Sequence, residues 1–148
     1  MINAVHVHDL RFAYGDGFEL SVPELKIAAG EQVLLAGPSG CGKSTLLNLI
    51  AGLLEPAGGS ITVGGDSLTK VHGAARDAIR GRRIGMVFQT HQLLVGFTAR
   101  ENLEVALLFS EVPKNERKSR AEELLGRLDL DRLDVPVEEL SVGQQQRV

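Results

Sequence analysis

The sequence predicts an α/β fold organised around a phosphate-binding loop, and three observations carry that prediction. Gly37-Pro38-Ser39-Gly40-Cys41-Gly42-Lys43-Ser44-Thr45 reads G-x-x-x-x-G-K-[ST], set between an apolar run and a helix-like segment. Before it, short stretches alternate apolar and polar side chains with the period of a strand. From Thr98 onward the period becomes helical.

The loop is the element with the sharpest chemistry. Val33-Leu34-Leu35-Ala36 precedes it as an expected buried strand, and Leu46-Leu47-Asn48-Leu49-Ile50 follows as an expected helix. A loop between strand end and helix start turns several backbone N–H groups toward one anion, and the helix dipole adds partial positive charge there. Gly37, Gly40 and Gly42 let the backbone wrap phosphates without Cβ clashes. Lys43 supplies charge to the β- and γ-phosphates, and the Ser44 hydroxyl is a ligand for Mg²⁺. With 17 glycines in 148 residues, a chance match arises about once in two hundred such chains. Nucleotide phosphate binding is therefore expected.

Upstream of the loop, Val5-His6-Val7-His8 and Glu19-Leu20-Ser21-Val22 read as strands joined by a turn at Gly15-Asp16-Gly17. His6 and His8 share a strand face, but no further Cys or His lies nearby in sequence, so they are expected as exposed strand residues rather than metal ligands. Gly58-Gly59 and Gly64-Gly65 bracket a short strand, Ser60–Val63, and Ile84–Phe88 is another strand expected to end at Gln89. Thr98-Ala99-Arg100-Glu101 is a capping box opening a helix that carries Leu103, Ala106, Leu107 and Ser110 on one face. A second helix from about Asn115 to Leu128 is expected to bury Ala121, Leu124, Leu125 and Leu128. Its Glu116–Arg120 and Glu123–Arg127 pairs form a solvated face. Ser141-Val142-Gly143-Gln144 is again S-x-x-Q, a second capping box at the start of a helix. Residues 1–89 thus form a strand-rich nucleotide-binding core and residues 90–148 a helical segment.

Composition bounds the function classes. Hydrophobic content of 43% and charged content of 24% are ordinary for a globular domain. A net charge of −3 gives no basic excess for wrapping nucleic acid. The single Cys41 has no disulfide partner within the chain and fits a reducing compartment. It lies in the phosphate loop, where its expected role is that of a small filler. The first residues show no signal peptide, and the longest apolar patches fall short of a membrane span. These features read as a cytoplasmic chain able to dock on a membrane protein.

The order of motifs resembles the ATP-binding subunits of ABC transporters over essentially the whole chain. The phosphate loop matches Walker A, Gln89 after Val87-Phe88 matches the Q-loop glutamine, and Leu140–Gln144 match the signature motif. Tyr14 in Phe12-Ala13-Tyr14-Gly15 matches the aromatic that stacks on adenine. Residues Gln92–Leu94 and Thr98–Leu103 are similar to the lipoprotein-releasing, macrolide-export and cell-division subgroup, although Val95 stands where that subgroup usually has proline.

The resemblance implies an ABC-type P-loop core with an antiparallel β subdomain and an α-helical subdomain. It also implies a head-to-tail dimer holding two ATP–Mg²⁺ at its interface, peripheral on the cytoplasmic face of the membrane against integral permease subunits. Each ATP would lie between Walker A of one subunit and Ser141, Gly143 and Gln144 of the other. Lys43 and Gln89 would be the catalytic residues, and Ser44 and Gln89 would contact Mg²⁺. Val142 departs from the family's usual glycine, and a β-branched residue disfavours positive φ, so weaker ATP-driven closure is expected. The family's Walker B strand, with its Mg²⁺-binding Asp and catalytic Glu, has no counterpart here. The fold is accordingly expected to be incomplete at the C-terminus, with exposed apolar surface, poor solubility and very slow hydrolysis by this chain alone.

A P-loop GTPase or small-molecule kinase is the competing class. It is opposed by the lack of N-K-x-D and D-x-x-G motifs and leaves Leu140–Gln144 unexplained. A non-transport ABC protein usually shows duplicated cassettes or long coiled coils, which this sequence lacks, and an ATP-binding module without turnover is the remaining alternative.

Overall fold

The structure is a computed structural model describing residues 3–15, 17–88, 90, 92–110 and 112–148. The chain divides into two compact units, Met1–Gly85 and Met86–Val148.

The first unit is built on a four-stranded antiparallel sheet of order β2-β1-β3-β4. Its strands are β1 (Asn3–Ala13), β2 (Glu19–Ala28), β3 (Gly58–Val63) and β4 (Asp66–Ser67). Both expected strands before the loop are present and run longer than the alternation alone indicates. The reason lies in β1. Val7 and Leu10 are both fully buried although three residues apart, which breaks the two-residue period. A register shift against β3 between His8 and Arg11, with Asp9 at φ 48°, inserts one extra residue and returns Leu10 and Phe12 to the core face. Gly59 makes this bulge possible, because a Cβ there would lie 2.3 Å from the Asp9 carbonyl oxygen.

Helix α1 (Lys43–Ile50) and helix α2 (Ala74–Arg83) complete the unit. Leu46 and Leu49 of α1 and Ile79 of α2 join Val7, Leu10, Ile61, Val63 and Leu68 in one apolar core. The strand signals before the loop gave no indication of α2. Its charge order is nonetheless that of a helix: Asp77 sits in the first turn, and Arg80, Arg82 and Arg83 sit in the last, complementing the dipole. Arg83 also donates to Asp66 at 2.8 Å, pinning the end of α2 to the β3–β4 hairpin.

Two expected strands are absent. Val33–Ala36 and Ile84–Phe88 lie outside regular structure, with Leu34 88% and Val87 fully exposed. Apolar runs of this kind suit a strand covered on both faces and paired along its edges. Among the described residues neither run has a hydrogen-bonded strand neighbour, so the propensity finds no ladder to join.

The second unit packs helix α3 (Ala99–Phe109) on helix α4 (Lys114–Gly126). The capping box at Thr98 forms in full: Thr98 Oγ1 accepts from Glu101 N–H, and a Glu101 carboxylate oxygen accepts from Thr98 N–H at 2.8 Å. The buried stripe differs from the expected one. It runs through Ala99, Leu103 and Leu107, while Ala106 and Ser110 are exposed. On α4, Ala121 and Leu125 are buried and Leu124 is half-buried. Leu128 is exposed, because α4 ends at Gly126 and the chain turns through Asp129 at φ 52° to bury Leu130 instead. Glu123 takes both Arg120 and Arg127, at 2.5 Å each, so Arg120 serves Glu123 rather than the expected Glu116. The Arg120 hydrogen bond holds the Glu123 carboxyl below its ordinary pKa.

Among the described residues, no helix is long and apolar enough to cross a membrane.

Candidate functional site

The phosphate loop of the first unit forms one side of a cleft of about 380 Å³, lined by Tyr14, Phe18, Ser39, Gly40, Gly42, Lys43, Ser44 and Thr45. Its volume falls in the range of small-molecule sites. The local sequence explains the geometry. Gly42 sits at the N-cap of α1 with φ 95°, a left-handed conformation that glycine adopts without a Cβ penalty. No side chain caps α1 and its first turn carries no acid. An uncapped helix start of this kind favours an anion, through the dipole and the first-turn N–H groups.

Lys43 is the first residue of α1 and folds back over the loop. Its Nζ donates to the Gly37 carbonyl at 2.8 Å and the Pro38 carbonyl at 2.7 Å, and lies 3.7 Å from Cys41 Sγ. These bonds brace the loop from inside and hold a fixed positive charge at the mouth of the cleft. Gly37 and Pro38 thus act through their carbonyl groups, while Ser39, Gly40 and Ser44 are exposed at the cleft itself. Cys41 is also exposed, with its sulfur 2.8 Å from where a Cβ on Gly37 would fall.

Tyr14 and Phe18 supply the aromatic part of the lining, with the tip of Phe18 against Gly42. Tyr14 N–H donates to the Phe18 carbonyl at 3.1 Å across the β1–β2 turn. The two rings lie tilted at a centroid separation of 5.8 Å, and Phe12 meets Tyr14 edge-on at 4.7 Å. Tyr14 remains 46% exposed. Phe18 escaped the sequence reading; the signal that could have found it is the cluster Phe12, Tyr14 and Phe18 around a glycine-containing turn. Gln89 lies outside the described residues.

His6 is half-buried rather than exposed, while His8 is exposed as expected. His6 faces Glu24 at 3.4 Å and His8 faces Asp9 at 3.2 Å, and among the described residues no three His, Cys, Asp or Glu side chains gather around a common point.

In the second unit, Ser141 caps the short helix α5 (Val142–Gln145). Its Oγ accepts from Gln144 N–H at 3.3 Å, and its own N–H donates to Gln144 Oε1 at 2.9 Å. The Ser141 hydroxyl therefore keeps its proton to donate, whereas the Gln144 side chain is turned back onto the cap. Gln145 holds this turn from behind: its Nε2 donates to the carbonyls of Val137 at 2.8 Å and Leu140 at 3.2 Å. Val142 is helical and is not among the residues with positive φ. The expected backbone conflict of a β-branched residue at this position is therefore absent, and its side chain points outward, 66% exposed.

Further bonds anchor the segment carrying this turn. Val137 N–H donates to the Phe97 carbonyl at 3.0 Å, and Gly96 N–H donates to Glu138 Oε1 at 2.6 Å. Arg100, on α3, reaches Asp134 at 2.5 Å and both Glu104 and Glu122 at 3.4 Å. Leu140 is buried with Ala99, Leu125, Leu130 and Val137, and Val148 packs against them.

The chain is similar to known proteins over nearly its whole length. The ABC transporter family pattern matches residues 20–148. The lipoprotein-releasing system ATP-binding protein LolD of Pseudomonas fluorescens is 43% identical over 145 residues, covering 95% of this chain and 64% of that protein. The macrolide export ATP-binding/permease protein MacB of Marinobacter nauticus is 40% identical, covering 97% of this chain and 23% of its own length. Among solved structures, the ATP-binding cassette MJ0796, a dimer in a post-hydrolysis state bound to ADP and Pi, superposes with a TM-score of 0.80 at 32% identity. That match covers 97% of this chain and 66% of the cassette. The chain spans a little under two thirds of the LolD relative's length. The family pattern, the relatives and the superposition converge on one assignment: this chain belongs to the ABC transporter family.

Proposed function

We propose that this chain is the ATP-binding subunit of an ABC transporter, coupling ATP binding and hydrolysis to movement of a substrate across a membrane. The observation that carries this reading is the cleft itself. An uncapped helix N-terminus, the Lys43 ammonium and the Ser44 hydroxyl line the same cleft as an exposed tyrosine ring. One end fits a polyphosphate and the other a planar base.

Within that reading, the N-terminus of α1 and Lys43 bind the phosphates, and Tyr14 stacks on adenine. The Ser44 hydroxyl is a hard oxygen donor of the kind Mg²⁺ takes, with phosphate oxygens and water filling its other positions, and Gln89 is the second proposed contact. When bound, the metal neutralises charge building between the β- and γ-phosphates. Ser141, Gly143 and Gln144 serve the nucleotide of a partner subunit in a head-to-tail dimer, with the free hydroxyl proton of Ser141 as the donor. The described residues that line the cleft are binding groups: the loop, the Lys43 ammonium, the Ser44 and Thr45 hydroxyls and the two aromatic rings. Permease subunits of a membrane transporter are the proposed partners, and the cytoplasmic face is the proposed location.

Titration of the chain with fluorescent ATP in the presence of Mg²⁺, competed by ATP and by GTP, tests the reading. Saturable binding that ATP displaces and Lys43→Ala abolishes is expected. Binding displaced by GTP far better than by ATP would move the protein to the competing nucleotide class.

A further inference from the structure

We infer that Phe18 is a second aromatic wall of the nucleotide cleft, touching the sugar and the near edge of the base of a bound purine nucleoside triphosphate. This rests on the nucleotide reading above and assigns a residue that the motifs leave out.

The placement of the ring carries the inference. Phe18 stands at the entry to β2, tied through its carbonyl to Tyr14 N–H at 3.1 Å. The β1–β2 turn therefore sets both rings on the same side of the loop. Its Cζ comes within 2.9 Å of where a Cβ on Gly42 would be, so the ring reaches from Tyr14 across to the first turn of α1. Phe18 therefore occupies the stretch between the Tyr14 ring, 5.8 Å away, and the loop at Gly42, and all three line the cleft. On a ligand whose phosphates lie on α1 and whose base lies on Tyr14, that stretch is the sugar.

The ring spacing rules out another arrangement. A flat base sandwiched between two rings needs about 7 Å, twice a carbon–carbon contact of about 3.5 Å. The Tyr14–Phe18 centroids are 5.8 Å apart and tilted by 44°. The base therefore stacks on Tyr14 alone, and Phe18 flanks it.

A purely structural role predicts something different: the ring would only prop Gly42 and the loop. Two ligands separate these roles, because inorganic tripolyphosphate engages the loop but has no sugar or base. Phe18→Leu keeps apolar bulk against Gly42 and removes the aromatic face, and Phe18→Met does the same with a more flexible side chain. Both variants are checked by circular dichroism. In calorimetric titration they are expected to weaken ATP about 3- to 10-fold, the usual worth of one aromatic contact. Tripolyphosphate affinity should stay within about 2-fold, and Phe18→Tyr should restore ATP. An equal loss for both ligands, or no loss for ATP, overturns the inference while the nucleotide reading stands. A native chain that binds neither ligand brings down the nucleotide reading itself.

Discussion

Gly42→Ala is the substitution whose effect the structure defines most closely. Gly42 caps α1 at φ 95°, where an L-residue with a Cβ is disfavoured by about 1–2 kcal/mol. The new methyl would also sit 2.9 Å from Phe18 Cζ and 3.4 Å from Leu20 Cδ1. Overpacking typically costs about 1–3 kcal/mol. Here the low end applies, because the nearest atom is the tip of a half-buried ring that can tilt. The free loop escapes both penalties by leaving the left-handed region. Binding phosphates forces it back, so the whole sum of about 2–3 kcal/mol falls on affinity, a loss of about 30- to 150-fold. Gly40→Ala is the internal control: its φ is 80° but its Cβ would meet open space, so only the backbone part remains, about 5- to 30-fold. Fluorescent-nucleotide titration of both variants, with thermal unfolding to confirm that each is folded, provides the comparison. Equal losses in the two variants, or a larger loss for Gly40→Ala, would refute the steric part. Wild-type affinity in Gly42→Ala would refute the claim that the loop binds in this conformation.

The capping box opening α3 gives a pH-dependent prediction. Hydrogen bonds from the Thr98 backbone and side chain hold the Glu101 carboxyl below its ordinary pKa of 4.5. Its contribution is thus fully present above that value and disappears as pH falls through the lowered pKa. Amide protection factors at the start of α3, taken against the intrinsic exchange rate at each pH, should fall on acidification in the native chain, and Glu101→Gln should remove most of that dependence. Thr98→Ala should destabilise the second unit by about 1 kcal/mol in denaturant titration. At the other cap, Val142→Gly is expected to leave nucleotide-dependent self-association unchanged, because Val142 already has helical φ. Analytical ultracentrifugation with ATP and Mg²⁺ would show otherwise if the side chain itself obstructs the partner.

Much of the site was legible in the sequence because its chemistry is local. The run from Gly37 to Thr45, and the two capping boxes, depend on contacts between residues at most six apart. Such contacts form wherever the chain adopts the turn, so spacing alone announces them. Phe18 and α2 were harder. Phe18 matters through Gly42, 24 positions away, and no local spacing encodes that approach. The apolar runs at Val33–Ala36 and Ile84–Phe88 show the opposite failure. Their composition reports what they prefer to bury, but a strand exists only when another strand supplies its hydrogen bonds.

By itself, the sequence determined the loop, the identity of its charged and hydroxyl groups, the order of the motifs and the capped starts of α3 and α5. Each follows from short-range backbone geometry and residue chemistry. Only the tertiary structure decided that β1 carries a bulge restoring Leu10 to the core, that Leu128 is exposed and Leu130 buried, and that Lys43 folds onto the carbonyls of its own loop. It alone set Phe18 against Gly42 to complete the cleft's aromatic side. Packing between segments distant along the chain settles these features, and one extra residue in a strand is enough to reverse which side chains face inward.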